Sequence, residues 1–161
     1  MTPRLARVTM ILAAAVFAVG VLASAQSKDP FVGSWRMNVA KSKYSPGPAP
    51  KSVTSTYEAA GQGYRISVKN EPASGAVQQY SYTTNLDGKD TAMTGNNPNA
   101  DMVAVKRIDT HTLEMVNKKG GKTTTTQRNV VAKDGKTRTV TTTGVDAQGQ
   151  KVNNVAVFEK Q

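Results

Sequence analysis

Polar turns punctuate this chain at short intervals, and they constrain its fold more than any other feature. They read NLDGKD (Asn85–Asp90), RIDTHT (Arg107–Thr112), NKKGGK (Asn117–Lys122), AKDGKT (Ala132–Thr137) and DAQGQK (Asp146–Lys151), most of them roughly a dozen residues apart. Asp-Gly and Gly-Gly supply the positive φ angles that tight hairpins require. Between the turns lie short runs rich in Val, Thr and Tyr, with no segment of helical period. Some runs alternate as half-buried strands do: Tyr80 and Tyr82 share one face of QQYSY, and Leu113 and Met115 share one face opposite Thr112 and Glu114. The pattern predicts an all-β domain with strands near 33–40, 51–58, 62–69, 76–84, 89–94, 101–108, 111–117, 122–131, 136–145 and 150–160. About eight to ten such strands bury their edges by closing into an antiparallel up-and-down barrel, with a β-sandwich as the alternative.

The N-terminal residues are of another kind. Arg4 and Arg7 precede an apolar stretch from Val8 to Ala23, broken only by Thr9, and the small residues Ala23, Ser24 and Ala25 follow. This is the layout of a signal peptide over 1–25, with an apolar run shorter than the roughly 20 residues of a spanning helix. The expectation is an exported protein, periplasmic or secreted, of the small bacterial kind, with no membrane span once the leader is cut. Residues 26–161 then form one domain of 136 residues. With no cysteine in the chain, neither disulfides nor thiolate chemistry are available to it.

Two segments depart from the strand-and-turn rhythm. In KSKYSPGPAPKS (Lys41–Ser52), Pro46, Pro48 and Pro50 forbid both a helix and a central strand, so an extended loop follows the first strand. TGNNPNAD (Thr94–Asp101) reads as a second loop.

The stretch DPFVGSW (Asp29–Trp35) holds the only tryptophan, and RMNVAKSKY continues from it. A first strand opening Phe31-x-Gly33-x-Trp35, followed by an antiparallel meander, resembles the calycins, which include lipocalins and fatty-acid-binding proteins. VAVFEKQ (Val155–Gln161) is similar to the last strand of the latter. The resemblance implies a lipocalin-like barrel in which Gly33 lets the chain enter the base while Phe31 and Trp35 plug it. It also implies a small apolar or amphipathic ligand inside. Tyr57, Tyr64, Tyr80, Tyr82, Met102, Met115 and Phe158, with Met37, are the residues that would line such a pocket, or else pack a filled core. Three departures qualify the likeness. The proline loop stands where fatty-acid-binding proteins insert a helical lid. Ala156 and Phe158 occupy the positions of their carboxylate-gripping Arg-x-Tyr pair. Lys160 stands near the place of the arginine that lipocalins stack over the tryptophan. A further cationic position falls on Arg128 in GKTTTTQR, which would be a polar anchor in the cavity or an outward arginine.

Little in the chain points to catalysis. His111, the sole histidine, lies in a turn without a second ligand for a metal. The acids cluster at turns, and there is no Gly-x-Ser-x-Gly or phosphate-binding glycine loop. The expectation is a non-enzyme with no cofactor and no metal. The Thr-rich runs Thr123–Thr126 and Thr139–Gly144 suit strand propensity at a wet surface. Net charge is +10, or +8 without the leader, and nine basic residues face three acids between Lys106 and Arg138. That run contains no aromatic residue, which argues against nucleic acid. A cell-envelope protein binding an anionic polymer or a protein partner through this basic surface is the second function class.

Overall fold

The computed structural model describes residues 29–161; the leader predicted over 1–25 lies outside the described residues. The chain is all-β. Eleven strands run β1 (Gly33–Lys43), β2 (Ser52–Ala60), β3 (Gly63–Glu71), β4 (Gln78–Thr84), β5 (Asp87–Ala92), β6 (Thr94–Gly95), β7 (Met102–Asp109), β8 (Thr112–Lys119), β9 (Lys122–Val131), β10 (Thr137–Val145) and β11 (Lys151–Lys160). Among the described residues no helix is long and apolar enough to cross a membrane.

All the strands form one antiparallel sheet in the order β5-β7-β8-β9-β10-β11-β1-β2-β3-β4-β6. The meander accounts for most neighbours, and two further contacts turn the sheet into a nearly closed barrel. The last strand returns to the first, with Trp35 opposite Lys160 and Met37 opposite Phe158. The other contact corrects the expected strand 89–94, which is divided. Its first part, β5, pairs with β7, and after Met93 its continuation, β6, pairs with β4 through Tyr80–Gly95 and Ser81–Thr94. One segment thus spans the seam by changing partner. Asn96 extends the pairing: its backbone N–H donates to Gln79 O (2.8 Å), its side chain accepts from Gln79 N (2.6 Å) and donates to Val77 O (3.1 Å). These bonds satisfy edge groups on β4 that would otherwise face water or another chain.

The base of the barrel is solid. Phe31 and Trp35 are fully buried, and Tyr64, Leu86, Val103, Val105 and Leu113 pack there in the same core. Trp35 Nε1 donates to Phe31 O (2.8 Å), so the one polar atom of the indole is satisfied by the residues that lead into β1. The rings of Phe31, Tyr57 and Tyr64 lie 5.8–6.2 Å apart in tilted and edge-on arrangements. Lys160 closes over this base, its Nζ 5.0 Å from the Trp35 ring centroid and hydrogen-bonded to Pro30 O (3.0 Å). Gly33 adopts φ 127°, and a Cβ there would come within 3.0 Å of Lys160 Cε. A side chain at this position would therefore be strained by the backbone and crowded by the lysine that covers the tryptophan.

Gly95 makes the seam possible. It sits at φ 104°, and a Cβ would run into the Gln79 carbonyl oxygen and lie 2.9 Å from Tyr80 Cα. Gly95→Ala should therefore part β6 from β4 and cost about 1–3 kcal/mol in urea denaturation. Native-state hydrogen exchange should show the Asn96 and Gln79 amides losing protection first; unchanged protection there would contradict this account of the seam.

Candidate functional site

Above the base the barrel encloses a cavity of about 370 Å³. Exposed residues among those that border it, Pro46, Pro48 and Gln150, place its mouth beside the proline loop. Tyr57, Phe158 and Arg138 border it at the end nearest the plug. Its walls are mixed: aromatic rings and Met115 alternate with amides such as Asn117, Gln127 and Asn129.

Arg138 is the residue that sets the chemistry. It lies on β10 with only 2% of its surface exposed. The alternation along Thr137-Arg138-Thr139-Val140 turns Arg138 and Val140 inward together. The preceding turn fixes that register, with Gly135 at φ 69°, Ala132 N–H bonded to Thr137 O (2.8 Å) and Asp134 accepting from Lys136 N–H (2.9 Å). A slip of one residue would eject the guanidinium into solvent. Inside, Nη1 donates to Tyr57 Oη (2.6 Å) and Asn129 Oδ1 (2.9 Å), and Nη2 donates to Ser55 Oγ (2.7 Å). The guanidinium carbon lies 4.3 Å from the ring centroid of Phe158, its cross-strand neighbour, 4.9 Å from Tyr57 and 5.3 Å from Trp35. Nε has no partner. Arg138 forms no ion pair with any described residue; the five pairs seen there involve other side chains.

Tyr44, Tyr80 and Tyr82 supply no negative charge to Arg138. Burial pushes Tyr80 up to about 12, with Tyr57 and Tyr44 adding to the shift and Arg138 only partly opposing it. Burial likewise raises Tyr82 well above the ordinary range and Tyr44 to about 12. All three hydroxyls therefore stay neutral at physiological pH. Tyr44 donates to Met37 Sδ (3.3 Å) and Tyr82 to Met115 Sδ (3.8 Å). Asn117 Nδ2 donates to Thr125 Oγ1 (3.1 Å), and Asn70 Nδ2 to Gln78 Oε1 (2.9 Å), which leaves Asn70 Oδ1 unpartnered.

The structure sorts the residues singled out in the sequence. Tyr57, Tyr80, Tyr82, Met115 and Phe158 border the cavity, as does Ala156. Tyr64 belongs to the base instead, where its hydroxyl donates to Asp29 Oδ2 (2.5 Å) and contacts Arg107, whose Nη2 is 2.7 Å from the same oxygen. Met37 is buried beneath Tyr44 and does not border the cavity. Met102 is half-buried on the face opposite Val103 and Val105, so it lines nothing. Arg128 is exposed: β9 turns Thr125, Asn129 and Val131 inward, and strand parity sends Arg128 out. The anchor position read from turn spacing thus belongs to the solvent side, and the inward arginine is Arg138, one strand later. His111 sits in its turn with its backbone N–H on Asp109 Oδ1 (2.7 Å). Among the described residues no group of three or more His, Asp or Glu could hold a metal ion.

No protein-family model matches the chain, and no curated protein matches it. Among solved structures, the chain is similar to zebrafish ileal bile acid-binding protein complexed with cholic acid. The two are 14% identical with a TM-score of 0.48, over 82% of this chain and 99% of that protein.

Raised phenol pKa values have a checkable consequence. The folded state holds these protons more tightly than the unfolded state, whose tyrosines titrate near 10. The stability they contribute is thus complete below pH 10 and is lost as pH rises from 10 to 12. Phenolate absorbance of the native protein should remain low for Tyr44, Tyr80 and Tyr82 at pH 11 and appear together with unfolding. Full ionisation near pH 10 without unfolding would contradict the buried placement.

Proposed function

We propose that this chain is an exported, non-catalytic binding barrel that takes one small amphipathic molecule into its interior. The observation that carries this reading is the cavity itself: enclosed by the strands, reached past the proline loop, and walled by both aromatic and polar groups. The leader-like pattern of residues 1–25 supports action in the periplasm or outside the cell. A polyanion-binding outer wall has less in its favour. Of the basic run, Arg107 pairs with Asp29, Lys118 with Asp90 (2.8 Å), and Arg138 points inward.

Native mass spectrometry of the protein purified from its own host tests the reading, with the denatured sample as reference. A guest should appear as extra mass that vanishes on denaturation. Adding that guest at about 100 times its Kd should stabilise the protein by roughly 2.7 kcal/mol. A clean apo mass, with no stabilisation by extracts of the host, would sink the proposal.

A further inference from the structure

The proposed interior site leaves its ligand open, and the buried charge of Arg138, which no described carboxylate pairs with, narrows it. A guanidinium has five N–H donors, of which protein acceptors here take three. What remains is one hydrogen on Nη2 and the Nε hydrogen, and Nε is buried without a partner. A guanidinium that borders a cavity with donors left over is met best by a carboxylate, through charge-assisted hydrogen bonds. The charge is nine-tenths or more buried, and none of the ion pairs among the described residues includes it. A buried cation without a counter-ion is costly, and an anion arriving from solution offsets that cost.

The rest of the cavity says what the anion is attached to. An alkyl chain would meet apolar walls, but here Asn117, Gln127 and Asn129 alternate with the rings, and Asn70 Oδ1 lacks a donor. At about 370 Å³ the space lies near the lower end of the range of roughly 300–1,000 Å³ for small-molecule sites. Resting on the binding role above, we infer that the guest is a small, oxygen-bearing carboxylate. Its carboxylate faces the Arg138 guanidinium, and its hydroxyl or amide donors face the amide-lined wall. The last strand lines the cavity with Val152, Asn154, Ala156 and Phe158 but supplies no charge to it; the cation comes across from β10.

Isothermal titration of the exported protein, freed of guest, with three probes tests this. The probes are 4-hydroxycinnamate, its neutral amide, and decanoate. The wild-type protein should bind 4-hydroxycinnamate about tenfold or more tightly than the amide. Arg138→Gln should remove that preference while still binding the amide, and Arg128→Gln should keep it. The wild-type preference stands as a test even if Arg138→Gln fails to fold, because an arginine that only packs the core would not separate the acid from its amide. Equal binding of acid and amide overturns the anion assignment and leaves interior binding intact. Decanoate binding more tightly than 4-hydroxycinnamate overturns the oxygen-bearing assignment. If no probe binds while native mass spectrometry shows a guest, this inference fails alone; if neither shows a guest, the binding role fails with it.

Discussion

A guanidinium held among aromatic rings without a carboxylate is the condition around which the interior is built. Moving a cation out of water into a protein is costly even after relaxation, by several kcal/mol. Three hydroxyl and amide acceptors and the faces of Phe158, Tyr57 and Trp35 offset part of that cost around Arg138. Ser55, Tyr57 and Asn129 reach it from β2 and β9, so the charge ties together strands from distant parts of the chain. A well-packed apolar residue in its place could make the empty barrel more stable. Keeping the charge is therefore a local breach of the rules for a stable core, and such breaches concentrate where a protein does its work.

The two ends of the barrel differ in how firmly they are made. At the base, Phe31 and Trp35 are sealed beneath Lys160, and the Asp29–Arg107 pair stitches the entering chain to β7. That pair is about one-third exposed and contributes little by itself, whereas the buried rings contribute much. At the mouth, the rim rests on a few long-range bonds. Ser45 exchanges bonds with Asn153 and Asn154, and Asn99 accepts from Ala147 N–H and Thr124 Oγ1. The two-residue pairing of β4 with β6 is the other thin place. Access to the cavity is thus confined to the rim and the seam, away from the tryptophan plug.

The strands were legible because their signals are local. Glycine turns and runs of β-formers fix where each hairpin begins and ends, and parity then puts Tyr80 and Tyr82 on the inner face. The seam was not legible, because the change of partner at Met93 depends on β4 and β7, which no short window contains. Met102 as a wall residue and Arg128 as an interior anchor fail for a different reason, and Arg128 takes its alternative, outward place: residue type and turn spacing carry no strand parity, and one position moves a side chain to the other face. The same parity could have found Arg138, since Val140 two residues later is a strong inward mark. Its charge argued the other way, because arginine is seldom fully buried. Of the two places open to Tyr64, cavity wall or packed core, the structure takes the core, because its partners Asp29 and Arg107 come from the entering chain and β7.

Net charge proved a poor guide to the electrostatics of the interior, and the reason is dielectric. Nine basic residues between Lys106 and Arg138 look like one field in the sequence, yet the barrel distributes them among a base latch, a surface pair, solvent and the cavity. Charges on the outer wall act through water and ions, where an interaction at a few ångströms is worth about 1 kcal/mol and fades within roughly 8 Å at physiological salt. The same charge inside, packed among aromatic rings, acts in a medium that screens it several times less. One inward arginine therefore outweighs the outward excess in deciding what this barrel can hold.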